Sequence, residues 1–183
     1  MKITPTSSIP DVKIIEPTIF KDKRGFFFEV WQQKRFDKEV VPRCFVQDNI
    51  SGSVKGTLRG LHYQTSNTQG KLIQVIAGEV FDVAVDIRKS SPTFGKWVGE
   101  VISSQNRKQL WIPEGFAHGF YVISEWAEFT YKCTNFYSPE SEQTIRWNDR
   151  DIGIQWPIPE GEQPIVSEKD STGKLFKDAV YFD

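Results

Sequence analysis

Histidine and cysteine are scarce in this chain, which has only two of each among its 183 residues. The thiols, Cys44 and Cys133, are too few for a disulfide framework and lack the spacing of metal ligands. Unpaired thiols are typical of a reducing compartment, so we expect the protein in the cytoplasm. The start of the chain also lacks the basic residues and the apolar run of a signal peptide, so we expect none.

Long apolar runs and an excess of charge of either sign are absent too. No stretch approaches the roughly 20 apolar residues that a membrane-spanning helix needs, so we expect no membrane partner. The formal net charge is -1, and a chain so balanced creates no field that attracts nucleic acid. A local basic site for one small anion is compatible with that balance.

Aromatic residues, by contrast, are plentiful: they make up 14% of the chain, and Phe alone occurs 14 times. A chain of 183 residues is long enough for one domain with a sizeable core. We therefore predict a single domain over 1–183, with N-terminal strands over about 1–30 and a C-terminal tail over about 171–183.

Short segments of alternating polarity, separated by Gly, Pro and Ser turns, predict an all-β fold. The pattern is strongest over 71–88, where Ala77-Gly78-Glu79 predicts a turn and the second half predicts one apolar and one polar face. Further strands are predicted at 11–20 (an edge strand, because it contains Pro17), 26–31, 44–50, 57–64, 96–103 and 127–136.

Helices are predicted at two places, and one further turn interrupts the strands. Residues 32–41 form the clearest helix, which ends before Pro42 and presents Phe36 and Val40 as one apolar stripe. A short helix is predicted near 174–180, and a turn is predicted at 51–53.

Chemistry-bearing residues gather around His62, which has Arg59 three residues before it and Lys71 nine residues after it. Neighbouring cations favour a neutral imidazole, which is the form a general base must have. The cluster therefore favours a site for an anionic substrate over a histidine that makes a single core hydrogen bond. Strict alternation would face Arg59 away from His62 unless Gly60 marks a bulge or a close backbone approach, and the sequence leaves this open.

The spacing around His62 resembles a known metal-binding motif from which two ligands are missing. Gly56, five residues and then His62 resemble the first motif of the cupin superfamily, but Gln64 and Gln69 stand where that motif has a second histidine and a glutamate. Neutral amides are poor ligands for the transition metals that histidine and carboxylate bind. We therefore predict a site without metal or other cofactor.

Further motifs carry the resemblance along most of the chain. The segment 113–118 resembles the second cupin motif, and the segments 58–64 and 69–72 closely resemble the dTDP-4-dehydrorhamnose 3,5-epimerase family, metal-free cupin enzymes of deoxysugar biosynthesis. The resemblance runs in order from Phe20 to Asp170. It implies a cupin-type jelly roll, a β-barrel or sandwich with a few short helices, whose interior holds a ligand.

The resemblance also implies a reaction. The substrate would be dTDP-4-dehydro-6-deoxy-D-glucose, inverted at C5 and C3 to give dTDP-4-dehydro-L-rhamnose in dTDP-L-rhamnose biosynthesis. The 4-keto group acidifies both neighbouring carbons, so the reaction needs a base, an acid on the opposite face and a cation near the oxyanion. The resemblance assigns these roles to His62, oriented by Asp170, to Tyr131 and to Lys71.

Substrate binding is assigned by the same resemblance. Arginine and lysine would meet the diphosphate, a tyrosine would stack on the thymine, and the polar triplet at 47–49 would bind sugar hydroxyls. The residues implied are Arg24, Glu29, Gln47, Asp48, Asn49, Arg59, Lys71, His118, Tyr137, Glu142 and Lys169. For His118 the alternative is a structural role, and for Tyr137 it is that of a half-buried strand aromatic.

The family's dimers pair through their N-terminal strands, so the resemblance also implies a homodimer. Phe26, Phe27 and Phe28 offer more aromatic surface than one small domain easily buries. Three alternatives to the 3,5-epimerase stay open. They are an epimerase acting at C3 or C5 alone, a metal-dependent cupin isomerase or oxygenase, and a sugar-nucleotide-binding cupin without catalysis. Gln64 and Gln69 disfavour the metal enzyme, and a complete base–acid pair disfavours the binder.

Overall fold

Thirteen strands and a few short helices make up the computed structural model, which describes residues 1–183. The strands are β1 (Lys2–Pro5), β2 (Lys13–Glu16), β3 (Phe20–Asp22), β4 (Gly25–Phe27), β5 (Gln47–Val54), β6 (Leu58–Gln64), β7 (Lys71–Ala77), β8 (Glu79–Asp86), β9 (Trp97–Ser103), β10 (Gln109–Ile112), β11 (Phe116–Val122), β12 (Trp126–Cys133) and β13 (Glu142–Thr144). The helices are α1 (Gln33–Glu39) and α2 (Glu168–Ser171), with 3₁₀ turns at Pro139–Ser141 and Phe176–Asp178. The prediction of an all-β fold with a few short helices is confirmed.

Two antiparallel sheets face each other as a sandwich. The larger has six strands in the order β1-β2-β10-β7-β12-β5, and the smaller has five in the order β13-β6-β11-β8-β9. Both sheets are open, so the cupin-like fold is a sandwich rather than a closed barrel. The remaining strands, β3 and β4, form a separate hairpin. The longest helix, α1, has seven residues, and none meets the length that crossing a bilayer demands.

The main core lies between the sheets and fills one end of the sandwich. Ile73 and Val75 of β7 meet Val80 of β8 in this cluster. The rings of Phe120 and Phe129, from opposite sheets, stack with centroids 4.4 Å apart. Burial of these side chains is the main stabilising term. Apolar packing at this end leaves the other end of the interior for polar side chains.

A second core covers the outer face of the smaller sheet. Leu61, Val83 and Val85 are completely buried there, beneath Phe176 and Phe182 of the C-terminal segment. The tail predicted over 171–183 is therefore packed against the sheet. The period-two pattern of β8 is confirmed, but its polar face also points into the protein, because Asp82 and Asp86 are completely buried.

A third cluster holds helix α1 against the outer face of the larger sheet. Phe36 and Val40 are buried against Leu72 and Trp111. The Gln32 side chain caps the helix by accepting a hydrogen bond of 2.9 Å from the Arg35 backbone N–H. The helix predicted over 32–41 is confirmed.

Two local predictions at strand ends are wrong. The strand predicted at an edge over 11–20 is β2, which pairs with β1 and β10 on its two sides. Pro17 follows its last residue and so breaks no hydrogen bond of the sheet. The turn predicted at 51–53 is an uninterrupted part of β5, where Gly52 leaves room for the Trp126 ring: a Cβ at Gly52 would lie 2.4 Å from that ring.

Two further elements are shorter than predicted. The strand predicted over 26–31 is limited to β4, Gly25–Phe27. The helix predicted near 174–180 is a single 3₁₀ turn, Phe176–Asp178. It is preceded by α2, for which the sequence predicted no helix.

Candidate active site

His62 on β6 and Asp170 on α2 form the centre of the polar end of the interior. The His62 Nε2 lies 2.5 Å from the Asp170 Oδ1. Burial alone would raise the pKa of Asp170, but hydrogen bonds from His62, Ser167 and the Gly60 backbone outweigh burial and lower it. An ionised carboxylate only accepts hydrogen bonds, so Nε2 carries a proton, and in the neutral imidazole the lone pair is on Nδ1. This is the tautomer that a general base needs.

Local folding explains how Asp170 reaches His62 from 108 residues away. Ser167 is the N-cap of α2, and its side chain accepts a 3.1 Å hydrogen bond from the Asp170 backbone N–H. Only 4% of the Asp170 side chain is exposed, against 27% for His62. The carboxylate is therefore held behind the imidazole, which itself remains accessible.

A bulge in β6 brings Arg59 to the face on which His62 lies. His62 pairs with His118 of β11, and Arg59 pairs with Phe120. His118 and Phe120 are two residues apart and share a face, so one extra residue is inserted between Arg59 and His62. Gly60 permits this close approach, because a Cβ there would lie 2.5 Å from the Gly119 Cα. The question left open by the sequence is thereby answered.

Tyr131 and Lys71 face His62 from the larger sheet. The Lys71 Nζ lies 5.7 Å from the centroid of the Tyr131 ring, and Lys71 lines the same narrow crevice as His62. Burial raises the pKa of Tyr131, so its hydroxyl keeps its proton at neutral pH. Burial lowers the pKa of Lys71, and an anion bound nearby would favour its charged form.

A second polar group adjoins the base at β13. The Glu142 Oε2 accepts hydrogen bonds from the Tyr137 hydroxyl at 2.8 Å and from the Lys169 Nζ at 2.5 Å. Burial would raise the pKa of Glu142, but these partners lower it below its ordinary value. Glu142 pairs with Gln64 in the sheet, two residues along β6 from His62. The structure thus brings three predicted binding residues together beside the base.

The polar triplet at the start of β5 is divided between two faces of the sheet. The Gln47 side chain donates to Asn49 at 3.0 Å, and the Asn49 amide lies 3.6 Å from the Cys133 sulfur, on the inner face. Asp48 lies on the outer face, where it forms an ion pair of 2.9 Å with Lys132. Alternation along a strand requires this separation. The structure therefore brings Gln47 and Asn49 into the site and leaves Asp48 outside it.

Two other predicted binding residues lie apart from His62 within one chain. Arg24 is largely exposed and pairs with Asp22 of its own hairpin at 2.6 Å. Glu29 pairs with Arg35 of α1 at 3.0 Å. Neither contacts another residue of the predicted set.

His118 lies in the interior but is bonded to Asp82, a residue that the sequence analysis did not single out. The His118 Nε2 is 3.0 Å and 3.1 Å from the two Asp82 carboxyl oxygens. Burial raises the pKa of Asp82 and lowers that of His118. The distances suit an ion pair, yet the neutral forms of both groups are favoured because burial makes charge costly. An aspartate inside a valine-rich strand was the signal available in the sequence.

The glutamines at the two positions where the cupin motif has metal ligands line the same crevice as His62 but form hydrogen bonds with backbone carbonyls. Gln64 donates to the Asn67 carbonyl at 2.8 Å, and Gln69 donates to the Asn135 carbonyl at 2.9 Å. No group of three or more His, Cys, Asp or Glu side chains is arranged to hold a metal ion.

Comparison with known proteins supports the same family. The family model for dTDP-4-dehydrorhamnose 3,5-epimerase matches residues 6–178. The chain is 58% identical to the enzyme of that name from Shigella flexneri, with 96% of this chain and 97% of that protein covered. It is 57% identical to the one from Neisseria gonorrhoeae, of which it spans 52%.

A solved structure extends this similarity to three dimensions. It is dTDP-6-deoxy-D-glucose-3,5-epimerase from Legionella pneumophila in complex with dTDP-4-keto-L-rhamnose. The TM-score is 0.92 at 56% identity, with 96% of this chain and 93% of that chain covered. The chain therefore belongs to the dTDP-4-dehydrorhamnose 3,5-epimerase family.

Proposed function

We propose that this protein inverts C5 and C3 of dTDP-4-dehydro-6-deoxy-D-glucose to give dTDP-4-dehydro-L-rhamnose. The observation that carries the proposal is that His62, which is bonded to Asp170 of α2, lies on one sheet and Tyr131 lies on the facing sheet. A sugar between the sheets would meet a base on one side and an acid on the other. The ligand named for the Legionella pneumophila structure is the sugar that this reaction produces.

His62 is the proposed base for both carbons. Its Nδ1 accepts the proton beside the 4-keto group, and the imidazolium that forms is stabilised by the Asp170 carboxylate at 2.5 Å. The C–H electron pair forms a C=C bond to C4, and the π pair of the C=O bond moves onto the keto oxygen, giving an enolate. Each inversion thus begins without a change in oxidation state.

Lys71 is the proposed partner of the enolate oxygen. Its side chain is half-buried at the start of β7 and faces inward, so its interaction with a nearby anion is screened less than in bulk water. A preorganised charge at the developing oxyanion is usually the largest catalytic contribution.

Tyr131 is the proposed acid. Its raised pKa keeps the hydroxyl protonated until the enolate carbon takes the proton from the face opposite His62. The tyrosinate and the imidazolium then return to their starting forms by proton exchange with solvent. The configuration is inverted because the two groups come from opposite sheets.

The nucleotide would be held at the edge of this interior. Arg59 and Lys169 carry charges suited to the diphosphate, and Tyr137, which is 51% exposed, presents a ring to the thymine. Gln47 and Asn49 face inward and suit sugar hydroxyls. We leave Asp48 and His118 out of the binding set, because one faces outward and the other is bonded to Asp82.

Arg24 and Glu29 would reach the substrate through a homodimer in which each hairpin β3–β4 contacts a second copy. Phe20 and Phe27 on that hairpin are 63% and 70% exposed, which is costly for a monomer in water. Sedimentation at micromolar concentration should show a species of twice 21.1 kDa. A single species of monomer mass would contradict the dimer. We place this one-domain enzyme in the cytoplasm, since Cys44 and Cys133 are both free thiols.

The reaction is tested by proton NMR of the dTDP-4-keto sugar incubated with enzyme in deuterated water. We expect deuterium at both C5 and C3. Deuterium at one carbon alone would identify a mono-epimerase, and none at either would exclude an epimerase. Tyr131→Phe should impair inversion more than exchange, because His62 can still remove and return a proton on one face. If Tyr131→Phe turned over like the parent, Tyr131 would not be the acid.

A further inference from the structure

The loop that carries Tyr137 is held by side chains instead of by its own backbone. We call residues 135–138 the Tyr137 loop. The Gln64 Oε1 accepts a hydrogen bond of 3.0 Å from the Ser138 backbone N–H. The Gln64 Nε2 donates to the Phe136 carbonyl at 3.2 Å. One amide therefore satisfies two backbone groups of this loop.

Two further glutamines complete the arrangement. The Gln69 Nε2 donates to the Asn135 carbonyl at 2.9 Å. The Gln47 Oε1 accepts from the Tyr137 backbone N–H at 2.8 Å. Together with Gln64 we call these residues the glutamine clamp. The clamp residues come from β5, β6 and the turn before β7, so the loop is tied to both sheets.

The two aromatic side chains of the loop do not hold it by burial. Phe136 is 62% exposed and Tyr137 is 51% exposed, so neither is anchored in a core. Gln64, by contrast, is only 5% exposed, and its donors and acceptor are all used. The buried Gln64 amide and the half-buried Gln47 and Gln69 amides thus hold the backbone that carries the exposed ring, while Glu142 holds the Tyr137 hydroxyl.

We propose that Gln64 and Gln69 are positioning residues for nucleotide binding that act through Tyr137. This inference rests on the proposed function, in which the Tyr137 ring contacts the base. The two positions at which the metal ligands of the cupin motif are missing would thereby serve to preorganise a binding loop. Preorganisation strengthens binding because less freedom is lost when the ligand arrives.

A double-mutant cycle with dTDP as the probe tests the inference. Gln64→Met keeps the shape of the side chain and removes its bonds to the loop. Calorimetric titration should show dTDP binding weakened about tenfold by Tyr137→Ala and about threefold to tenfold by Gln64→Met. In the Tyr137→Ala background, Gln64→Met should have almost no further effect. In steady-state assays KM should rise while kcat stays within about twofold, since the reacting groups are untouched.

A milder variant and a matched control protect the test against misfolding. Gln69→Met removes a single bond and should weaken dTDP binding less than Gln64→Met. Gln74→Met changes another buried glutamine, on the outer face of β7, and should leave dTDP binding unchanged. Amide hydrogen exchange in the free protein should become faster at Tyr137 and Ser138 in Gln64→Met, and not in the control.

The outcomes separate the inference from the proposed function. If Tyr137→Ala binds dTDP like the parent, the role of Tyr137 in the proposed function is wrong. If Tyr137→Ala weakens binding but the effect of Gln64→Met is additive to it, Gln64 acts elsewhere and the clamp does not position the ring. Unchanged hydrogen exchange in the loop of Gln64→Met would also overturn the inference.

Discussion

Each of the two histidines in the chain is paired with an aspartate, and the two histidines lie opposite each other on neighbouring strands. His62 is partly open to the interior and faces a carboxylate whose pKa is lowered by hydrogen bonds that outweigh burial. His118 is 7% exposed, and its partner Asp82 has a pKa raised by burial. The same two functional groups therefore differ in charge because they differ in burial and in additional hydrogen bonds.

The difference shows why only one pair suits proton transfer. Asp170 receives hydrogen bonds from His62, Ser167 and the Gly60 backbone, and together these keep it ionised and able to stabilise imidazolium. The Asp82 carboxyl has no side-chain hydrogen-bond donor other than His118, and burial favours its neutral form. An imidazole next to a neutral acid gains little from becoming charged, so the second pair is suited to a structural role.

Replacing each histidine in turn should give the largest difference in activity between the two pairs. His62→Ala should abolish epimerisation and solvent exchange, a loss of about 10²–10⁴-fold or more, because water is a poor base toward a carbon acid. His118→Asn should retain both reactions at a reduced rate. The measurement is deuterium incorporation at C5 and C3, with dTDP binding as the control for folding. Near-normal exchange by His62→Ala would remove His62 from the base role.

Replacing the two aspartates by their neutral isosteres should give the next largest effect. Asp170→Asn removes the charge that stabilises imidazolium and should lower kcat about 10²-fold. Asp82→Asn replaces a group that is already close to neutral and should lower kcat much less. Steady-state kinetics on the two variants decide between them. Equal losses would show that both pairs serve the reaction in the same way.

The pH dependence of the free energy of unfolding should separate the two pairs, because their groups titrate over different pH ranges. His118 has a pKa lowered from 6.5 in the folded state, so the unfolded chain binds more protons below that pH. The free energy of unfolding should therefore fall as the pH drops below about 6.5, and His118→Asn should reduce that fall. Asp82 acts with the opposite sign, since its pKa is raised from 3.8.

Asp170 should affect the free energy of unfolding in a lower pH range than His118, because its pKa is lowered from 3.8. Its contribution to stability is complete above that value and is lost as the pH falls through the folded-state pKa. Urea denaturation between pH 7 and pH 3 should thus show the Asp170→Asn variant following the parent down to about pH 5. The pH ranges assigned to the two pairs would be wrong if Asp170→Asn, and not His118→Asn, reduced the fall in the free energy of unfolding between pH 7 and pH 5.

Chelation of metal ions should have no effect on turnover. In metal cupins the two histidines would share one ion, but here each Nε2 is bonded to a carboxylate. Turnover should be the same before and after exhaustive treatment with EDTA. Loss of turnover that one specific metal restores would show that the histidines act together and would overturn the metal-free prediction.

Local patterns predicted the parts of the molecule that depend on local physics. Alternation over 71–88 predicted β7 and β8 with the turn between them, because side-chain period follows from strand geometry. Phe36 and Val40, four residues apart, predicted the buried face of α1 for the equivalent reason in a helix. Spacing around His62, read together with a family resemblance, selected the residues that the structure gathers at one end of the sandwich.

Tertiary structure alone decided what depends on register between distant segments. Strict alternation separated Arg59 from His62, and only the pairing of β6 with β11 revealed the bulge that reunites them. Asp82 looked like part of a polar strand face until the facing sheet buried it against His118. Register and burial arise from contacts between residues far apart in the chain, and those contacts determine the pKa values on which the two histidine–aspartate pairs differ.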